Sequence, residues 1–351
     1  MTLIRTKADP QTYTFPGFGS DRFPNLMLRG AGDLDNWHLK TYVDQHEGYQ
    51  GLKRALQMAP ADVVAEVKAS GLRGRGGAGF LTGLKWSFMP KDTDEKKHTR
   101  YVVCNADEGE PGTFKDRAIM EYNPHQLIEG MVIAAWAMQC QKGFIYARGE
   151  FKWLLDKLDA AIQEAREAGF LGTNILGSGL DFDLDTYRGA GAYICGEESA
   201  LLNSLEGRRG EPRVKPPFPA QVGAFGQPTT VNNVETLAAV APILRLGSGE
   251  YAKIGSPNNS GTRIFGISGH VKRPGLYELP MGTPLEFLVN DLAGGTSTGR
   301  PTAREATEYL TLSKRTRQVL DTAAVLAWKP LKQPALATRC GLSASNICQI
   351  V

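Results

Sequence analysis

The stretch GLRGRGGAGFLTGLKW, residues 71–86, decides how the rest of the chain is read. Six of its sixteen residues are glycine, and Gly74, Gly76 and Gly79 match G-x-G-x-x-G. In a Rossmann fold that pattern follows a strand, opens a helix and is answered about 20 residues later by an acidic residue ending the next strand. Here the glycines follow a helical pattern. Pro60 opens PADVVAEVKASG, Val63, Val64 and Val67 share one face, and Gly71 stops the helix. Asp92 and Asp94 sit at about the right distance, but in a lysine-rich turn. Both contexts fail, and the Rossmann reading is rejected. What remains is a loop whose backbone can approach a ligand closely and offer successive N–H groups to an anion. Arg73, Arg75 and Lys85 add positive charge, and Phe80, Trp86 and Phe88 add ring faces. Phosphate beside a flat ring describes a nucleotide or a flavin; a tight interdomain turn is the competing reading.

Outward from the loop, strand and helix alternate. RYVVCNADEGEPG (100–112) reads as a short buried strand running into an acidic loop. NPHQLIEGMVIAAWAMQCQKG (123–143) reads as a buried helix with Asn123 as N-cap and Pro124 at its first position. GFIYARGEF (143–151) reads as a strand, and KWLLDKLDAAIQEAREAG (152–169) as an amphipathic helix ended by Gly169. This predicts a layered α/β core over residues 48–245, after an irregular lead-in at 1–47. Residues 259–299 predict a strand, a turn at Arg273–Gly275, a second strand and a helix, a small separate α+β module.

Composition bounds the class. With 351 residues, 42% apolar and 22% charged, the chain suits a globular protein. The longest apolar run, Met131–Met138, is far short of the roughly 20 residues of a membrane span. The start has no signal-peptide core, which predicts a cytoplasmic chain. Five cysteines without C-x-x-C argue against a disulfide framework or a four-ligand metal site. The net charge of +3 is uneven: residues 302–351 hold seven Lys/Arg and three Asp/Glu, leaving 33 against 34 before them. The main body gives no electrostatic reason to expect nucleic acid.

Three further stretches carry polar chemistry. CNADEGEPGTFKDR (104–117) places Asp107, Glu108 and Glu110 past a strand's C-terminal end, where open α/β sheets bind ligands. Such carboxylates suit hydroxyls and amide N–H groups; magnesium or a solvated acidic turn are alternatives. RGAGAYICGEESALLNSLEGRRGEPRVKPPFP (188–219) sets Glu197 and Glu198 at a helix start and Lys215 and Phe218 in a proline-stiffened loop. TTVNNVET (229–236) offers the Asn232 and Asn233 amides to a heteroaromatic edge, or to a helix N-cap before Val234–Leu244.

In this order and at these spacings the stretches resemble the NADH-binding flavoprotein subunits of respiratory complex I, the NADH-quinone oxidoreductases, from about residue 48 to about 299. The carrying motifs are GLRGRGGAGFLTGLKWSFMPK, CNADEGEPGTFKDR, GAYICGEESALLNSLEGRRG, KPPFPA and VNNVETL. The resemblance implies a non-Rossmann α/β domain holding FMN with NADH over it, then an incomplete β-grasp module like the SLBB (soluble-ligand-binding β-grasp) domain. It implies Gly74, Gly76, Gly77 and Lys85 on the FMN phosphate side. Asn105, Asp107 and Glu108 would hold ribityl and ring groups, and Tyr193, Gly196, Glu197, Asn232 and Asn233 would complete the flavin site. Phe80, Phe88 and Phe218 would sandwich the adenine of NADH, and Glu110, Glu198 and Lys215 would fix its ribose and nicotinamide. Hydride would pass directly from NADH to FMN, with Glu108 and Glu198 positioning the rings and no protein nucleophile. The implied partners are the iron–sulfur subunits of the complex, peripheral on the inner face of the cell membrane, with no insertion into it and no nucleic acid. A diaphorase subunit of an NAD-linked hydrogenase or formate dehydrogenase shares the same motifs.

Two departures stand out. Leu81 replaces a proline common among relatives. The family's C-G-x-C-x-P-C motif and later fourth cysteine, which bind a [4Fe-4S] cluster, are missing; Cys340 and Cys348 do not fit that spacing. Residues 300–351 therefore read as a basic tail unrelated to the family, with a helix-turn-helix flavour in QPALATRCGLSASNICQIV. The chain then reads as C-terminally truncated. A non-catalytic fragment, or a nucleotide sensor with a DNA-contacting tail, is the alternative.

Overall fold

The structure, a computed structural model, describes residues 25–92 and 98–297. Readings placed on residues 1–24 and 298–351, the basic tail included, lie outside the described residues.

Four short strands form an all-parallel sheet: β1 (Tyr101–Ala106), β2 (Lys142–Ala147), β3 (Asp183–Arg188) and β4 (Thr229–Asn233), in the order β3-β2-β1-β4. Ahead of the sheet come α1 (Leu39–His46), α2 (Gln50–Leu56), α3 (Pro60–Ala69) and the short α4 (Thr82–Trp86). α5 (Lys115–Tyr122) and α6 (Pro124–Met138) join β1 to β2, and α7 (Lys152–Glu167) joins β2 to β3. α8 (Glu198–Leu205) lies between β3 and β4, and α9 (Val234–Ala238) and α10 (Val240–Leu246) follow β4.

The loop-helix context predicted for the glycines holds: they sit between α3 and α4, ahead of the first strand. The strand order nevertheless equals that of the first four strands of a Rossmann sheet. The difference lies in the turn after β1, which carries the acidic run. Asp92, at the distance of a ribose-binding acid, instead pairs with the buried Arg100 guanidinium (2.5 Å). From β1 the chain moves to β2 on one side and later returns to β4 on the other. That reversal opens a crevice at the C-terminal ends of β1 and β4, where Asn105 lies in register with Asn233.

α6 explains the central packing. Every residue of it except Trp136 is buried, as expected of a helix apolar nearly all round. Gly130 lets α9 close on it; a Cβ there would fall 2.0 Å from the Leu237 carbonyl oxygen. The polar residues inside it are satisfied. Glu129 accepts the Tyr42 hydroxyl (2.5 Å) and the Tyr49 and Leu52 N–H groups (2.9 Å each). Gln126 donates to the Leu26 and Ala238 carbonyls.

Those bonds correct the irregular lead-in predicted for residues 1–47: within it α1 forms, and Tyr42 reaches into the core. Only Tyr42 and His46 of α1 are buried, so the helix has little local apolar signal and depends on distant partners. Asn123 also departs from expectation. It precedes α6, but its side chain caps nothing; its amide donates to the Met27 and Arg29 carbonyls. The strand predicted at 143–151 ends at Ala147 and passes into a 3₁₀ turn at Gly149–Phe151.

The module after the sheet is an antiparallel hairpin, Thr262–Ile267 with Gly275–Pro280, followed by a π-helical turn at Phe287–Leu292. Glu278 of the hairpin is fully buried. Its carboxylate accepts the N–H groups of Leu26, Met27 and Leu28 (2.9–3.0 Å) and the Thr262 hydroxyl (2.5 Å). The module and the segment before α1 are thereby tied together. Among the described residues, no helix is long and apolar enough to cross a membrane.

Candidate functional site

The glycine loop closes on itself. The Gly74 N–H donates to the Phe80 carbonyl and the Thr82 N–H to that of Leu72 (2.9 Å each), with Arg73 and Leu81 paired as an antiparallel bridge. Gly77 (φ +156°) and Gly79 (φ +66°) take backbone conformations that favour glycine. A Cβ on Gly77 would meet nothing within 4 Å, so the loop's outer face stays open. Gly76 faces inward: a Cβ there would lie 2.7 Å from the Asn233 Cβ, which puts the loop directly on the end of β4.

The two loop arginines act on the protein, a correction to the charge assigned to them. Arg75 is 2% exposed; its guanidinium donates to the Ser260 carbonyl (2.8 Å), and its backbone N–H donates to Thr236 Oγ1 (2.8 Å). Arg73 donates to the Asn258 and Gly79 carbonyls (2.8 and 3.1 Å). Of the three cations of this stretch, Lys85 is the one turned to the crevice. Its Nζ contacts Glu198 Oε2 (2.9 Å) and the Val231 carbonyl (2.7 Å), which leaves one of three N–H donors uncommitted.

On the β1 side, Asn105 donates to the Gly196 carbonyl (2.9 Å) and accepts the Asp107 N–H (3.2 Å). Asp107 Oδ2 is buried with no hydrogen-bond partner. Burial pushes its pKa up to about 6, with Arg148 pulling it back. Glu108, beside it, has another task. Its carboxylate accepts the Asp116 and Arg117 N–H groups (2.8 and 3.2 Å) and so caps α5. Burial, and then the neighbouring Asp116, raises its pKa to about 7. Only 7% exposed, Glu108 commits both carboxylate oxygens to the start of α5.

The 193–219 segment brings a chain of ion pairs. Glu197 caps α8 through the Ser199 and Ala200 N–H groups (2.9 and 3.0 Å). Lys215 Nζ reaches Glu197 (3.0 Å) and Glu198 (2.8 Å), and Glu198 continues to Lys85. Burial pushes Glu198 upward, but Lys85 and Lys215 outweigh it and hold its carboxyl below the usual range. The Tyr193 hydroxyl donates to Glu110, and its ring packs on Gly109.

Asn232 accepts the Trp86 indole N–H (3.0 Å), so the α4 aromatic predicted as a ring face is in fact a buried anchor. Phe80, Phe88 and Phe218 remain half-exposed. Phe80 and Phe88 lie 6.2 Å apart at 43°. A base between two rings needs them parallel and about 7 Å apart. These two therefore form one wall, and a sandwich needs its second wall elsewhere.

Sequence reasoning missed the residues underneath. Lys115, Asp116 and Glu235 are buried and bonded around Asn233. All three stand in the motifs quoted above. The available signal was a Lys-Asp pair opening a helix whose remaining face is apolar.

Residues 67–242 match the Nuo51 FMN-binding domain family, and residues 264–305 match the SLBB domain. The second F subunit of the NADH-quinone oxidoreductase of Rhizobium meliloti is 51% identical over 279 residues, 79% of this chain and 65% of that protein. The F subunit of the Escherichia coli NADH-quinone oxidoreductase is 55% identical over 272 residues, 75% of this chain and 61% of that protein. The chain thus spans less than two thirds of these curated relatives. A solved structure, the NAD+-reducing [NiFe]-hydrogenase in its H2-reduced state, superposes with a TM-score of 0.66 at 42% identity, over 75% of this chain and 44% of the other. With its glycine loop placed before the sheet and seated on the β1/β4 crevice, the chain belongs to the Nuo51 FMN-binding family, and an SLBB domain follows.

Proposed function

We propose that the chain is the NADH-oxidising flavoprotein part of an NADH-quinone oxidoreductase, binding FMN in the β1/β4 crevice and NADH over it. The observation that carries this reading is the pairing of the open Gly77 face with the unpartnered, buried Asp107 Oδ2 and the spare donor of Lys85. Such a cradle fits a ligand with a phosphate at one end and N–H or O–H groups at the other. Bound there, FMN supplies an acceptor for a hydride and a source of single electrons.

The chain's own groups bind, orient and exclude water. The Gly74, Gly76 and Gly77 backbone and Lys85 take the phosphate side. Asn105, Asp107, Asn232 and Asn233 hold the polar groups of ribityl and ring, with Tyr193, Gly196 and Glu197 closing the far side. Phe80 and Phe88 stack on the adenine, and Phe218 is the second wall. Glu110, Glu198 and Lys215 engage ribose and nicotinamide. Glu108 acts through α5, as a positioning residue. Electrons pass on to iron–sulfur partner subunits in a peripheral arm. The hydrogenase likeness favours one second reading, the diaphorase of an NAD-linked hydrogenase.

An anaerobic titration tests this. FMN is added, free flavin removed, and NADH added while the flavin absorbance is followed. Bleaching by NADH and much less by NADPH is expected. Retained flavin that NADH does not bleach would refute the oxidation step, and flavin lost on washing would refute the site. Co-purification with hydrogenase subunits would decide for the second reading.

A further inference from the structure

Beneath the crevice lies an ion cluster that the function above does not use. Lys115 opens α5 and is 7% exposed. Its ammonium donates to Asp116 Oδ1 (2.7 Å) and Asn233 Oδ1 (3.3 Å) and forms an ion pair with Glu235 Oε2 (2.8 Å). The second Asp116 oxygen accepts Asn233 Nδ2 (2.6 Å), and Asn233 Oδ1 also accepts the Glu235 N–H (3.0 Å). The Asn233 amide is therefore fixed at both ends. Rotating it by half a turn would set its oxygen against a carboxylate and its NH2 against an ammonium.

Asn233 is also where Gly76 rests: a Cβ on that glycine would fall 2.7 Å from the Asn233 Cβ and 3.6 Å from its amide Nδ2, so the locked amide lies directly under the glycine loop. Glu235 extends the cluster outward: its Oε1 accepts the Ile264 N–H (3.0 Å) of the hairpin module. Burying an ammonium among carboxylates is a weak source of stability, because desolvation cancels much of the attraction. It is a strong source of orientation.

We propose that Lys115 is a positioning residue for the flavin side of the crevice, locking the Asn233 amide under the glycine loop and linking it through Glu235 to the module. The inference rests on the flavin reading above and deepens it.

The test is a double-mutant cycle on the full chain, read as the FMN dissociation constant from fluorescence quenching. Lys115→Met and Asn233→Ala are each expected to weaken FMN by about tenfold, and the double variant by no more than about tenfold, because both remove one lock. Additive losses near a hundredfold, or wild-type affinity in Lys115→Met, would overturn the inference. A merely structural lysine would give additive losses. Should circular dichroism show Lys115→Met unfolded, Asp116→Asn replaces it. That change conserves volume and removes the acceptor of Asn233 Nδ2; weakened FMN supports the lock and unchanged FMN overturns it. A wild-type chain that binds no FMN overturns the functional reading first, and this inference with it.

Discussion

The glycine loop and the 193–219 segment both reach the ends of β1 and β4, and they are held there by different forces. The loop is fixed by backbone bonds to itself, by a buried guanidinium and by the close approach of Gly76 to Asn233. The other segment is held by a relay of part-exposed ions, Lys85–Glu198–Lys215–Glu197. A wall made by packing is indifferent to salt and intolerant of added volume. A wall made by ion pairs near solvent is the reverse. The side expected to cradle a phosphate is thus rigid, and the side expected to meet a ligand that comes and goes is adjustable.

The comparison can be broken by substitution. The largest effect is expected from Arg75→Ala, which strips donors from Ser260 and leaves Glu235 short of a cation. About 3 kcal/mol or more of stability should vanish in chemical denaturation. A loss below about 1 kcal/mol would mean the loop does not depend on its buried cation. Gly76→Ala comes next. Its methyl would press on the Asn233 Cβ, costing about 2 kcal/mol and most of the flavin affinity. Wild-type flavin binding in that variant would disprove the packed-floor description.

Two carboxyls between the walls give a pH test. Unfolded, Asp107 and Glu108 release protons near 3.8 and 4.5; folded, near 6 and 7. Between those values the folded chain binds more protons. The ligand-free chain should therefore lose stability as pH rises from about 4 to about 7. Asp107→Asn should flatten the lower part of that slope, as read by urea midpoints across the range. A slope of opposite sign would show that other groups dominate. The smallest effect belongs to Lys215→Met. Glu198 keeps Lys85, so stability should change by less than about 1 kcal/mol. The KM for NADH should rise several-fold, and its dependence on salt should weaken. An unchanged KM would remove Lys215 from the adjustable wall.

Much of this was legible along the chain. The apolar run of α6, the periodicity of α7 and the helix before the glycines announced an α/β core without a Rossmann fingerprint. The quoted motifs converge at the β1/β4 crevice, where Asn105 and Asn233 stand in register. What local pattern could not reveal was direction. Arg75 lies among loop residues yet turns inward to Ser260, 185 positions away. Glu108 and Glu110 are two residues apart, and one caps a helix while the other meets a tyrosine. The Lys115 cluster draws on two stretches more than a hundred residues apart, and polar contacts of that range leave no periodic trace.

Glu278 changes what counts as a unit of this molecule. Its carboxylate is saturated by three amides and a hydroxyl, and the amides come from residues about 250 positions earlier. The stretches that match known domains begin at residue 67 and again at residue 264. A polypeptide trimmed to those limits would keep the glutamate in its apolar surroundings and discard most of what satisfies it. Water, or a proton taken up at neutral pH, would have to fill the gap. The boundary that family matches draw and the boundary set by buried hydrogen bonds are different lines, and a piece meant to keep the Glu278 carboxylate satisfied has to begin at or before Asn25.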